Sequence, residues 1–329
     1  MNETIIAITD THFGVKQNSS AWLSSQMGLI YNELLPMAKR IPGKKKLYHC
    51  GDVFDSRSTL NTLVAKTVRQ AFIDMAKVFD EIIVIAGNHD FYSPTDDSVD
   101  SVTLILSNID RVRVVVDEIV VTGTDMFVPW FKWFEVEEMR AMIAKHHPKA
   151  IWCHTDLAAM TTEQQEMLQG VKVFSGHIHY PSCKGDLLTM GATYALTFAD
   201  HDADRGWYVI DASTYKWRFY PSTTSIRFWR FKNDEMFDKL DECVRPCDYV
   251  EIYIDKSLML DERYVNRIKD VAAKVRNTVV VPSTDIVMES QEVNLNSYNI
   301  EELCRNNIPS SLKDMFEEVV VIVKSKNAY

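Results

Sequence analysis

Residues 4–12 read TIIAITDTH. An apolar, β-branched run, Thr4–Thr9, stops abruptly on Asp10-Thr-His12. A continuous apolar run of this length predicts a strand buried on both faces. The polar residues that follow it fall at its carboxyl end, where open α/β sheets build their sites. In extended chain, residues i and i+2 point to the same side, so Asp10 and His12 can grip one ion or two adjacent ions.

Moving outward, the same arrangement recurs four times. Strand-like Leu47–Cys50 leads into Gly51-Asp52-Val-Phe-Asp55, and Glu81–Ala86 leads into Gly87-Asn88-His89-Asp90. Ala150–Cys153 is followed by His154, and Val171–Phe174 by Gly176-His177-Ile-His179. Five of the nine histidines lie in these five motifs. Glycines ahead of Asp52, Asn88 and His177 let the chain turn sharply there. Further strands are expected at Val112–Val116 and Glu118–Thr122, and helices at Trp22–Ala38 and Leu60–Phe79. Buried strands separated by helices predict an α/β architecture with both faces of the sheet covered.

Carboxylate, imidazole and amide oxygen together suit a borderline divalent ion such as manganese, iron or zinc. No cysteine belongs to the set, which argues against a structural zinc site. The six cysteines form no CxxC pair, and Cys50 and Cys153 sit in apolar runs, so a reducing cytoplasm is the expected compartment. No segment approaches the roughly 20 apolar residues that cross a bilayer. The start, MNETIIAITD, carries no basic leader, so no export signal and no membrane partner are expected. Apolar residues are 46% and charged residues 25% of the 329, a globular balance that fits one large and one small domain. A net charge of −10 excludes a protein held on nucleic acid by global charge alone. It leaves room for a nuclease whose attraction comes from a local basic groove, bound cations or a partner.

After Asp200 the texture changes. Gly206–Asp211 and Trp217–Tyr220 read as antiparallel strands, and Ser222–Phe231 as a strand or an extended crossing segment. A second unit is expected from Asn233, with a strand at Tyr249–Ile254, a helix over Asp261–Val275 opened by an acidic cap, and a strand at Thr278–Pro282. From Tyr298 a short helical pattern, a break at Pro309 and an apolar run, Leu312–Val323, complete the chain.

In order and in type, the five motifs resemble those of the calcineurin-like metallophosphoesterase family. The resemblance implies a metallophosphoesterase sandwich, two sheets flanked by helices, over 1–232. It implies that Asp10, His12 and His179 hold one divalent ion, that Asn88, His154 and His177 hold a second, and that Asp52 bridges them. Two such ions, Mn2+ by the resemblance with Mg2+ as the alternative, activate the hydroxide that attacks phosphorus. His89, beside a ligand but not needed as one, is assigned to the transition state, and Asp55 to orienting it.

Three features narrow the branch. Protein phosphatases of this family carry Asp-Arg-Gly after the second motif, whereas this chain has Asp55-Ser56-Arg57. The texts GDVFDSR, AGNHD, SGHIHYP and GATYALTFAD resemble the SbcD-type double-strand-break repair nucleases, and most closely the recombination nuclease subunits of T-even-type bacteriophages. The segment Tyr220-Pro-Ser-Thr-Thr-Ser-Ile-Arg-Phe228 resembles their lead into a small α/β capping domain, expected over 233–296. The resemblance therefore implies a DNA exo- and endonuclease for repair and recombination, working as a homodimer with an SbcC-type, SMC-like coiled-coil ATPase. The C-terminal segment 297–329 is its candidate docking element. Two alternatives are carried. One is a phosphomonoesterase or cyclic-nucleotide phosphodiesterase on the same scaffold, and the other a DNA-end-binding scaffold with a vestigial nuclease.

Other residues have plainer readings beside functional ones. Arg57 follows a metal loop and is a candidate DNA contact. Lys44, Lys45 and Lys46 form a basic triplet in an expected loop, either solvated or touching phosphate. His49 reads as a strand-end histidine and His201 as part of an acidic turn. The run Pro129-Trp-Phe-Lys-Trp-Phe134 fits base stacking and equally a core or dimer contact.

Overall fold

The computed structural model describes residues 3–201 and 204–283. Two six-stranded sheets form the bulk of it. The first runs, in order, Trp217–Pro221, Gly206–Asp211, Glu3–Ile8, Lys44–Cys50, Glu81–Ile85 and Val112–Val115. Its last four strands are parallel, and Gly206–Asp211 closes antiparallel onto the first strand with Thr4 opposite Asp211. The second sheet runs Ser182–Lys184, Leu187–Thr189, Lys172–Gly176, Ala150–His154, Asp125–Val128 and Val120–Thr122.

Side-chain alternation explains why the sheets stack. Ile5, Ala7, Tyr48, Cys50, Ile83 and Ile85 point inward and meet Phe127, Trp152 and Phe174 of the second sheet. Ile6, Ile8, Leu47, Ile82 and Val84 point outward and are covered by the helical segments 20–40 and 62–76. Met126, Val128, Ile151, Cys153 and Val173 do the same on the far side, under Met139 and Leu168. With a period of 2, a strand apolar at every position can serve two cores at once. The structure is thus the four-layer α/β sandwich that the sequence predicts.

Differences from expectation are local. The helix expected over Trp22–Ala38 is a helical run from Ser20 to Arg40 interrupted by a π-helical turn, Leu29–Leu34, with Pro36 just beyond it. Helix Thr62–Ala76 is opened by Asn61, whose side chain accepts from the Leu63 and Val64 amides. A hairpin, Phe91–Ser93 with Asp96–Asp100, follows the third motif and was not expected from its polar text. Lys44–Lys46 are not in a loop but open the second strand.

A smaller sheet, Phe228–Lys232, Tyr249–Asp255 and Asn277–Ser283, is wholly parallel and carries helix Glu262–Lys274, capped by Asp261. Its first strand lies before residue 233, where the second unit was expected to start. Phe228 is drawn in by an aromatic joint: it stacks on Tyr249 at 5.1 Å, and Trp22 donates to the Tyr249 hydroxyl at 3.0 Å. Glu33 accepts from the Ser222 hydroxyl and the Thr223 and Thr224 amides, which fixes the crossing segment against the main sandwich. The expected capping residues 284–296 and the candidate docking segment 297–329 lie outside the described residues. Among the described residues no helix is long and apolar enough to cross a membrane.

Candidate metal centre

Parallel pairing puts the carboxyl ends of Glu3–Ile8, Lys44–Cys50 and Glu81–Ile85 side by side. In the other sheet Gly176 pairs with His154, so those two strands also end together. The sheets pinch at this edge. Thr9 Oγ1 donates to the Cys50 carbonyl at 2.9 Å, and His154 Nδ1 reaches the same carbonyl at 2.7 Å. A Cβ on Gly176 would stand 2.0 Å from Thr9 Oγ1, which is why only glycine fits.

Two groups of donor atoms result. In the first, His12 Nε2 and His179 Nε2 are 3.2 Å apart, and Asp10 Oδ1 lies 3.9 and 3.7 Å from them. In the second, Asn88 Oδ1 is 3.0 Å from His154 Nε2 and 2.9 Å from His177 Nδ1. Asp52 stands between the groups. Its Oδ1 is 3.3 Å from His154 Nε2, and its Oδ2 is 3.6 Å from His12 Nε2. Ligands gripping one ion at about 2.1 Å stand from roughly 3.0 Å apart at a right angle to roughly 4.2 Å apart on opposite sides, so both spacings suit a divalent cation. The chemistry agrees. His154 gives its Nδ1 proton to a carbonyl, so its Nε2 lone pair faces the oxygens of Asn88 and Asp52. Lone pairs turned on one another are repulsive until a proton or a metal ion sits among them, and the second-site hydrogen bond that fixes the ring is a common feature of metal-bound histidine. The residues therefore fit two divalent ions.

Electrostatics point the same way. Burial opposes ionisation of Asp52, but the His154 ring beside it holds its carboxyl far below the usual range. Burial likewise opposes charge on His154, yet Asp52 outweighs it and pushes the pKa up to about 9. A field that draws a proton this strongly also draws cations. Asp10, His12, Asp52 and His177 all have positive φ, between 41° and 80°. Such backbone clusters at functional sites, where the surrounding fold enforces it.

His89 is edge-on to His12 with ring centroids 4.9 Å apart, and its backbone N–H donates to Asp52 Oδ1 at 2.8 Å. Its Nδ1 lies 2.7 Å from the backbone carbonyl of Asp55. Asp55 thus meets His89 through its main chain, while its side chain turns to His12 Nδ1 at an ion-pair distance of 3.5 Å. Arg57 is half-buried two residues further on. Lys44–Lys46 stand at the opposite end of their strand from Cys50, about 13–20 Å away at 3.3 Å per residue. Lys46 is paired with Glu3 and Glu81 there, so this triplet is not brought to the site.

Asp90 and Asp200 were not assigned from the sequence, and Trp130 was read only as part of the aromatic run 129–134. Asp90, 1% exposed, accepts from the Gly87, Phe54 and Val53 amides at 2.9, 3.1 and 3.3 Å, lacing the second motif to the third. Asp200 Oδ1 lies 4.0 Å from His179 Nδ1 and is held by buried Arg205 at 3.2 Å. Trp130 lies against His177, with centroids 4.9 Å apart. Asp90's place in Gly-Asn-His-Asp was its only signal. The other two depend on contacts between distant segments.

A search of curated proteins finds "Exonuclease subunit 1" of Enterobacteria phage T4, 20% identical over 340 residues, covering 88% of this chain and 99% of that one. Among solved structures, the phosphopantetheinyl hydrolase PptH of Mycobacterium tuberculosis covers 58% of this chain and 89% of its own, at 13% identity and a TM-score of 0.31. The Pseudomonas putida nuclease MPE covers 66% and 87%, at 13% identity and a TM-score of 0.32. The calcineurin-like phosphoesterase superfamily domain matches residues 4–195, well over half of the sequence and the whole span of the five motifs, and the chain therefore belongs to that superfamily.

Proposed function

We propose that the chain is a metal-dependent DNA nuclease, cleaving phosphodiester bonds as the catalytic subunit of an end-processing complex. The observation that carries this reading is Asp52: its two oxygens face two separate donor groups, with His89 beside them. Asp10, His12 and His179 would hold one ion, Asn88, His154 and His177 the other, and Asp52 both. When bound, such a pair neutralises phosphate oxygens and activates water, whether the metal is manganese or magnesium. The chain's own part is positional. His89 gives Nδ1 to the Asp55 carbonyl, so a proton on Nε2 is the one available to the leaving oxygen. Asp90 keeps the loops bearing Asp52 and Asn88 in register.

DNA is favoured over a small phosphomonoester by the likeness to a phage exonuclease subunit along nearly its full length. That relative's name, a subunit, also supports a partner, which we take to be an SMC-like coiled-coil ATPase bound to a homodimer of this chain. We place the complex in the cytoplasm, in DNA recombination and repair, with exo- and endonuclease activity. The test uses end-labelled linear duplex and hairpin DNA with manganese, magnesium or chelator, for the wild type and His89→Ser. Metal-dependent cleavage that the variant loses is expected. Intact DNA beside hydrolysed mononucleotides would overturn the nuclease in favour of a phosphomonoesterase, and equal behaviour of wild type and variant would favour a binding scaffold.

A further inference from the structure

The aromatic run at 129–134 is divided by the fold into an anchored part and a presented part. Trp133 is buried at 2% exposure and holds the short helical turn Phe131–Phe134 to the core. Phe131 packs edge-on against Phe91, the residue after the third motif, with centroids 4.7 Å apart. Lys132 is paired with Glu135 and Glu138. The Trp130 amide donates to the Ala86 carbonyl at 3.1 Å, just ahead of Gly87. What remains on the site side is Trp130 and Phe134. Trp130 lies 4.9 Å from His177 and 6.1 Å from His154, and Phe134 lies edge-on to Trp130 at 5.2 Å. Phe134 is 57% exposed. On the other side, Tyr180 follows His179 directly and is 56% exposed. An aromatic pair therefore adjoins the second donor group, and its outer ring is exposed.

We propose that Trp130 and Phe134 form a wall on which a nucleobase next to the scissile phosphate stacks, so that the site selects single-stranded or frayed DNA over paired DNA. This rests on the nuclease reading above and names its substrate class. A base in a duplex is already stacked on both faces, whereas a base freed at an end has a face to offer. Stacking on aromatic side chains tolerates any base and contributes substantially per base. A wall already fixed by Trp133 and Phe131 loses little freedom on binding. The same wall gives no grip to a phosphate whose flanking residues lack bases.

The test compares a short end-labelled single-stranded deoxyoligonucleotide with one carrying abasic residues on both sides of a single phosphate, assayed with manganese. The variants are Phe134→Ala and Phe134→Tyr. For the wild type, KM at the abasic site should be about tenfold higher. Phe134→Ala should raise KM on the normal strand toward the abasic value, without moving the abasic value, and Phe134→Tyr should restore the difference. A structural role would shift both substrates together and would overturn the proposal. So would a wild type indifferent to the missing bases, which leaves the nuclease reading intact. A wild type that cuts neither strand yet hydrolyses mononucleotides sinks both readings.

Discussion

Gly176→Ala probes the pinch between the sheets directly. The new Cβ would lie 2.0 Å from Thr9 Oγ1, 2.5 Å from the Cys50 carbonyl oxygen and 2.8 Å from Asp10 Oδ2. Gly176 does not have positive φ, so the conflict is steric rather than conformational. Restoring ordinary contact, about 3.4 Å, requires the edges to part by roughly 1 Å. Overpacking of this kind costs about 1–3 kcal/mol. Parting the edges also breaks the bond of His154 Nδ1 to the Cys50 carbonyl, which joins the two sheets, at about 1 kcal/mol. The sum, about 2–4 kcal/mol, lowers Tm by about 10 °C for a unit of this size. Ligand positions are tolerated only within about 0.2 Å, so ion affinity falls as well. Thermal unfolding in chelator reads the first effect and calorimetric titration with manganese the second. An alanine variant melting within about 2 °C of wild type, with undiminished ion binding, would refute the steric account of this edge.

Asp90→Ala strands three buried amide donors and should cost about 3 kcal/mol or more in urea unfolding, whereas an unchanged midpoint would remove its lacing role. His89→Ala should reduce turnover by about a hundredfold or more while manganese stoichiometry, measured by equilibrium dialysis, stays at the wild-type value, since His89 is in neither donor group. Adding manganese to a thousand times its Kd should stabilise the chelated protein by about 4 kcal/mol, and a melting curve insensitive to the metal would speak against an ion among these donors. Lys46→Met should leave DNA cleavage unchanged, because its ammonium is engaged by Glu3 and Glu81 far from the donor groups. A large rise in KM would return the triplet to the substrate path.

The sandwich was legible because Ile5–Ile8, Ile82–Ile85 and Ile151–Cys153 are apolar at consecutive positions, which only a strand serving two cores explains. The meeting of Asp10, Asp52, Asn88 and the four histidines was legible for a related reason: each follows such a run, and parallel strands share a carboxyl edge. Strand Asp125–Val128 was hidden by its first residue, a buried carboxylate satisfied by the Tyr48 hydroxyl and the Trp152 indole. Hairpin Phe91–Asp100 was hidden by acidic text that reads as loop. At Asp55 sequence suggests side-chain chemistry, whereas the atom that reaches His89 is a main-chain oxygen. Whether Trp130 faced core, partner or site depended on its hydrogen bond to Ala86, which no local pattern encodes.

The seven donors span residues 10 to 179, and the strand that opens the chain is flanked on one side by Gly206–Asp211. During synthesis the Glu3–Ile8 strand therefore waits for a segment made some two hundred residues later. At about 5–20 residues per second, some ten to forty seconds pass before residue 211 has been added. Through that interval the Glu3–Ile8 strand lacks one of its two neighbours. The side of the sheet next to the strand that leads into Asp10 and His12 is therefore closed late, by a segment made after all seven donors.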